Sequence, residues 1–253
     1  MRLDLDGKNV FVSGSSGGIG SAVAEAFLEE GARVVLHGLD AAKLEARRAV
    51  LTSKFPDRVS AVAADLTDPA GRDAAVEAVR ASHGTLDAAV FCVGNGNVAK
   101  GFGLTQAQWD AIFAQNFFAN AHMASALAPM LKKGSLCFIG SIAGLQDVKA
   151  PIGYAVAKAA LDAYAKALSR ELAPDVRVNI VHPGNVYFEG GRWEELKKER
   201  GADVDAMLAS QVAMKRFGTP QEIAAAVVFL SSARASFMTG ASVVVDGGQL
   251  TSL

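Results

Sequence analysis

Tyr154 and Lys158 stand four residues apart in Ile152–Leu172, a stretch with helical periodicity, so both side chains leave one helix face within reach of a common ligand. A free phenol has a pKa of about 10 and is a poor base at neutral pH. A neighbouring ammonium favours the phenolate and draws that value down towards useful proton transfer. Thirteen residues before the tyrosine, Ser141 follows the apolar run Ser135–Gly140, where its hydroxyl can donate to a substrate oxygen as charge develops. Asn116 falls in the middle of Gln106–Leu131, which reads as one long helix, a poor setting for asparagine. A side chain or carbonyl exposed there could hold a water linked to Lys158.

A second constellation lies near the start of the chain. Gly14-Ser15-Ser16-Gly17-Gly18-Ile19-Gly20 separates the first predicted strand from a helix beginning at Ile19. Glycines at such a turn let the backbone approach a pyrophosphate, and the helix N-terminus offers unpaired N–H groups to the anion. Ser15 and Ser16 can add hydroxyl contacts, and Lys158 can hold ribose hydroxyls beside Tyr154. Asp65, with Leu66, follows the third strand, where it either accepts from an adenine amino group or caps the next helix. The second strand ends in His37-Gly38-Leu39-Asp40, the place that reads the adenosine ribose. No Lys or Arg stands there or in the glycine turn, so NAD is favoured over NADP, through Asp40 or backbone groups. A charged His37 facing a phosphate is the NADP alternative.

These residues need a scaffold, and the rest of the chain supplies one. Near-continuous β-branched and apolar runs at Asn9–Ser13, Arg33–His37, Val59–Ala63, Ala88–Val93, Ser135–Gly140, Arg177–Val181 and Ala241–Val245 read as strands covered on both faces. Helical periods at Ile19–Glu30, Ala41–Leu51, Ala70–Ala81, Gln106–Leu131, Ile152–Leu172 and Gln221–Leu230 alternate with them. Pro69, Pro151 and Pro220 sit at or just before first helical turns, where a missing N–H costs nothing. Strand–helix alternation predicts βαβ units and an α/β, doubly wound parallel sheet.

At 253 residues with 51% apolar and 20% charged side chains, the chain suits one domain with a full core. Its net charge of −1 and lack of a Lys/Arg cluster give no support for nucleic-acid binding. No apolar run approaches the ~18 residues of a membrane span, and the acidic start lacks a secretory core, so a cytoplasmic location is expected. Cys92 and Cys137 read as buried thiols, and no histidine pair has metal-ligand spacing, so no metal is expected.

Gly14-x-x-x-Gly18-Ile19-Gly20, Asp65-Leu66, Asn116, Ser141, Tyr154-x-x-x-Lys158, Pro183-Gly184 and Asp246-Gly247-Gly248 together resemble the short-chain dehydrogenase/reductases, over about residues 5 to 249. The resemblance implies a Rossmann-type, seven-stranded sheet with helices on both faces and an Asn116–Ser141–Tyr154–Lys158 tetrad. It further implies a homotetramer or homodimer, NAD or NADP as cofactor, and a small carbonyl or alcohol substrate (a 3-oxoacyl thioester, a sugar-derived ketone or a steroid). Gly94 would lie against the cofactor, while Pro183, Gly184 and Val186 would meet the nicotinamide. Two departures stand out. The family's usual Asn-Asn-Ala-Gly is here Phe91-Cys92-Val93-Gly94, so apolar packing is expected to replace the asparagine brace. A threonine commonly found four residues beyond Pro-Gly is here Phe188.

Residues 187–212 read as a substrate lid, with hinges at Gly190-Gly191 and Gly201 and with its charges on a solvated helical face. Phe188, Trp193, Gln146, Val148 and Met207 are candidate pocket residues. A non-catalytic NAD(P)-binding sensor or scaffold would keep the glycine turn and lose the acid/base pair, and a cofactor-free lyase would spoil the turn. Enoyl reductases typically space tyrosine and lysine seven apart, so a ketone or alcohol substrate is favoured over a carbon–carbon double bond.

Overall fold

A computed structural model describes residues 2–251. Seven short runs become strands: β1 (Asn9–Ser13), β2 (Arg33–Gly38), β3 (Val59–Ala63), β4 (Leu86–Phe91), β5 (Leu131–Ile139), β6 (Val176–Pro183) and β7 (Ser242–Val245). They form one sheet in the order β3-β2-β1-β4-β5-β6-β7, every pair parallel. Successive side chains alternate between faces, which splits the core in two. Val10, Val12, Val34 and Leu36 pack on one side with Val23 and Phe27 of α1 (Gly18–Glu29), Leu44 and Leu51 of α2 (Ala41–Lys54) and Val227 near the chain's end. Phe11, Val35 and Phe138 face the other side. There they meet Val79 of α3 (Pro69–His83) and Leu161, which lies in the helix carrying Tyr154. Burial on both faces explains why the strands read as unbroken apolar runs rather than as alternating ones.

The expected single helix Gln106–Leu131 is a correction. It is α4 (Gln106–Phe113), a π-helical turn Ala114–Phe118, α5 (Ala119–Leu127) and a 3₁₀ turn Ala128–Met130, and Leu131 already belongs to β5. Its periodicity survives because a π turn inserts one residue without breaking the axis. The remaining helices are α6 (Ile152–Glu171), α7 (Arg192–Gln211) and α8 (Pro220–Ser231). Helix α7 is bent where Arg200 leaves helical geometry (φ −152°, ψ 57°), next to the expected hinge at Gly201. Among the described residues no helix is long and apolar enough to cross a membrane.

The connections running from β1 and β4 leave the sheet in opposite directions, which opens a crevice at their carboxyl ends. Helix α1 can start deep in that crevice only because residue 20 is glycine. A Cβ there would collide with the carbonyl oxygen of Gly14 and lie 2.8 Å from its carbon.

Candidate active site

The crevice holds a cavity of about 350 Å³, walled by the glycine turn, Gly94, Ser141, Tyr154, Lys158, Pro183, Gly184 and Val186. It meets a larger cavity of about 660 Å³ along a shared wall that includes Ser141, Tyr154, Phe188 and Trp193. Phe188 lies across the glycine turn, its ring 2.9 Å from where a Gly18 Cβ would stand. The two constellations read from the sequence, far apart in the chain, thus face one space.

Each part of the nucleotide end is held by a neighbour. His37 is buried behind the turn; its Nδ1 accepts from Gly14 N at 3.2 Å, so Nε2 carries the proton and donates to Ala64 O at 3.0 Å. Burial lowers its pKa, with the Ala64 hydrogen bond opposing, so it stays a neutral staple and does not face the crevice as a cation. Ser15 is buried too, and its hydroxyl is committed to the backbone of His37 at 2.9 Å, which leaves Ser16 to offer a hydroxyl to the cavity. Asp40 caps α2 by accepting from Lys43 N at 3.0 Å. Gly38 packs on Ser16, and Leu39 is 71% exposed. Asp65 turns one oxygen onto Thr67, at 2.8 Å from its N and 2.7 Å from its Oγ1, and Leu66 is buried in the core, while Asp68 caps α3. His37, Gly38, Leu39, Asp65 and Leu66 therefore border the crevice without lining either cavity.

The sequence also hid a cation. Lys43 lines the smaller cavity, and its Cε and Nζ fill the space a Gly17 side chain would take, each 3.2 Å from that Cβ position. Scanning the turn and the end of β2 misses it, because α2 carries it back from one helical turn further on.

At the chemical end, Lys158 is buried and donates to the carbonyl of Ile139, the last residue of β5, at 2.8 Å. Burial pushes its pKa down to about 8, with a smaller opposing influence from Cys92. Its Nζ lies 5.9 Å from the Tyr154 ring centroid. The half-buried phenol is raised above its ordinary value by desolvation, opposed by a hydrogen bond with the Ser141 side chain. Desolvation, and not the expected pull of the ammonium, dominates this tyrosine.

The π turn gives Asn116 its role. Its Oδ1 accepts from Asn95 N at 2.9 Å, and its Nδ2 donates to Asn95 O at 3.2 Å and to Ile112 O at 3.0 Å. Asn120 Nδ2 holds Val93 O at 2.9 Å, and Ser13 Oγ accepts from Cys92 N at 3.0 Å. The expectation of purely apolar packing around Cys92-Val93-Gly94 is corrected: polar side chains of β1 and α5 supply the brace. Behind Ser141, the buried His182 places Nδ1 3.2 Å from Ser141 N, and Nε2 2.9 Å from both Asp162 Oδ1 and Ser242 Oγ.

A family model described as enoyl-(acyl carrier protein) reductase matches residues 14–249. The chain is 37% identical to 2-(S)-hydroxypropyl-CoM dehydrogenase 3 of Xanthobacter autotrophicus, over 98% of each sequence. Among solved structures, L-sorbose reductase from Gluconobacter frateurii, complexed with NADPH and L-sorbose, matches with a TM-score of 0.94 and 34% identity over 100% of both chains. A 7α-hydroxysteroid dehydrogenase complexed with NADH and a 7-oxo bile acid matches at 0.90 and 26%, covering 100% of this chain and 98% of that one. The chain belongs to the short-chain dehydrogenase/reductase family. As a member of that family it is an oxidoreductase.

Of the candidate pocket residues, Phe188, Trp193, Val148 and Met207 line the larger cavity, whereas Gln146 is turned to Thr251, its Nε2 3.1 Å from Oγ1. Gly94 is the pinch point of the family's site here, since a Cβ on it would stand 3.0 Å from both Asn116 Oδ1 and Lys158 Nζ. Gly94→Ala should therefore lower stability by about 1–3 kcal/mol, because neither buried neighbour is free to retreat. Urea unfolding checks it, and an unchanged midpoint would mean the crevice is looser than its geometry implies.

Proposed function

We propose that the protein interconverts a secondary alcohol and a ketone, with NAD(P) as the hydride partner and Tyr154 as the acid/base group. The convergence of Tyr154, Ser141 and Lys158 on a cleft that also contains the glycine turn carries this reading. The spacing of four between Tyr154 and Lys158 supports a carbonyl substrate rather than the carbon–carbon double bond that the matching model's description would suggest.

The residues fit a dinucleotide. Helix α1 has Gly17 at its N-cap position and no side-chain cap, so its first N–H groups are open to an anion. Side chains at Gly17 or Gly18 would press on Lys43 and Phe188, which wall the adjoining space. Gly94, Pro183, Gly184 and Val186 continue that wall towards Tyr154. When bound, NAD(P) supplies hydride to the carbonyl carbon or takes it from the carbinol carbon. Tyr154 then gives the substrate oxygen its proton or removes it, Ser141 steadies that oxygen, and Lys158 grips the ribose beside them. Asn116 acts on the loop after β4, through Asn95, and on the water path towards Lys158. Helix α7 with Phe188 serves as the substrate lid.

Lys43 shifts the cofactor reading towards NADP, since its ammonium sits beside the turn where a 2′-phosphate would need a partner, and Asp40 is occupied as a cap. Ile152 and Val156 on α6, 47% and 45% exposed, support assembly into a homotetramer or homodimer through that helix. The two free cysteines accord with a cytoplasmic location.

Tyr154→Phe should lower turnover by ~10²-fold or more while cofactor binding persists. Unchanged turnover on an alcohol/ketone panel read at 340 nm would remove the assigned role. Lys43→Ala should weaken NADPH by roughly tenfold and leave NADH nearly unchanged, as expected for loss of one charge-assisted contact. Equal effects on both, by fluorescence titration, would return the preference to NAD. Lys158 is charged below about 8 and neutral above it, so cofactor affinity should fall as pH rises through that value. In Lys158→Arg, which stays charged, that alkaline limb should vanish; a wild-type affinity constant to pH 9.5 would contradict the ribose contact.

A further inference from the structure

The larger cavity carries a charge pattern that hydride transfer alone does not use. Lys100, Lys149, Arg192 and Arg200 line it, against a single carboxylate, Asp203. The whole chain has a net charge of −1, so this positive surplus is local. Arg192 is matched by Glu195 at 2.9 Å. Among the described residues, Lys100, Lys149 and Arg200 have no carboxylate oxygen within 4.0 Å.

The three unmatched cations come from separate elements. Lys100 belongs to the loop between β4 and α4, and Lys149 to the turn before α6. Lys149 is fixed there in left-handed geometry (φ 59°), its N–H donating to Asp147 Oδ1 at 2.8 Å. Arg200 stands at the break in α7. Like charges brought to one concavity repel, and the apolar side chains that share the lining with them and Tyr154 (Val148, Phe188, Trp193, Leu196 and Met207) do nothing to screen that repulsion. A neutral ligand would leave it in place. An anion relieves it, and low-dielectric walls focus the positive field on the mouth of the site.

We infer that the substrate is a ketone or secondary alcohol carrying an anionic head group on an apolar stem. Its carbonyl lies at Tyr154 and Ser141, and its head group lies among Lys100, Lys149 and Arg200. This rests on Tyr154 handling the carbonyl. In the reduction, the carbonyl carbon gains the hydride, its oxygen gains a proton, and the head group is unchanged.

The test uses a series of methyl ketones, from 4-oxopentanoate to 8-oxononanoate, each paired with its neutral methyl ester. At low salt, at least one acid should exceed its ester by tenfold or more in kcat/KM. The preference should shrink in 0.5 M NaCl, and Arg200→Gln or Lys149→Gln should bring the acid-to-ester ratio towards one. Quenching of tryptophan fluorescence gives binding without turnover, since Trp193 lines the cavity. Tighter quenching by acids than by esters, with no member reduced, would support the anion site and sink the alcohol/ketone reading. Esters reduced as well as acids at every length, or an acid preference untouched by both substitutions, would overturn the anion site and leave the dehydrogenase reading standing.

Discussion

An ammonium buried at the carboxyl edge of a parallel sheet is expensive, and the arrangement of this site follows from keeping one there. Among the described residues Lys158 has a single protein acceptor within hydrogen-bonding distance, the carbonyl that ends β5, and burial already pulls its pKa down to about 8. Space for it exists because residue 94 has no side chain, and Asn116 presses on the same spot from the other side. A Lys158 outside this pocket would be an ordinary surface lysine; within it, the ammonium is pinned under the tyrosine ring.

The π turn at Ala114–Phe118 is the local deviation that makes this pocket possible. A regular helix repeats its face every 3.6 residues, and one inserted residue rotates everything beyond it by roughly a quarter turn. Asn116, inside the π turn, holds Asn95, and Asn120, four residues on and so on the same helix face, holds Val93, so both reach the loop after β4. Mid-helix asparagine is a weak helix former. Its presence at 116 signalled that something other than helix propensity had placed it.

The fold was readable because two-sided burial writes itself into composition: Val-Phe-Val in β1 and Val-Val-Leu in β2 must be covered on both faces. The juxtaposition of Tyr154 and Lys158 was readable because a spacing of four is local geometry. Residues whose roles depend on contacts across elements were not. His37 looked like a ligand contact at a strand end, but the turn folds back over it and takes both ring nitrogens. Lys43 looked like helix surface until α2 brought it to Gly17. Ser13 and Asn120 carried no motif, yet they replace the polar brace that Phe91-Cys92-Val93 lacks. His182 read only as the residue before a proline, because Asp162 and Ser242, which fix it behind Ser141, come from α6 and β7.

The two shifted groups bear on the order of events in the proposed reaction. Desolvation disfavours charge on both, so it raises the phenol and lowers the ammonium. Near neutral pH the resting protein therefore holds a protonated Tyr154 above a charged Lys158. Giving the phenolic proton to a substrate oxygen would leave a phenolate in the same poorly solvated space. The Ser141 hydroxyl already opposes the desolvation of that anion, and the ammonium beneath the ring, 5.9 Å from its centroid, is a positive charge placed to offset it. The desolvation that makes Lys158 costly at rest is thus what makes its charge effective when the phenolate forms, since the same low dielectric strengthens the attraction between them.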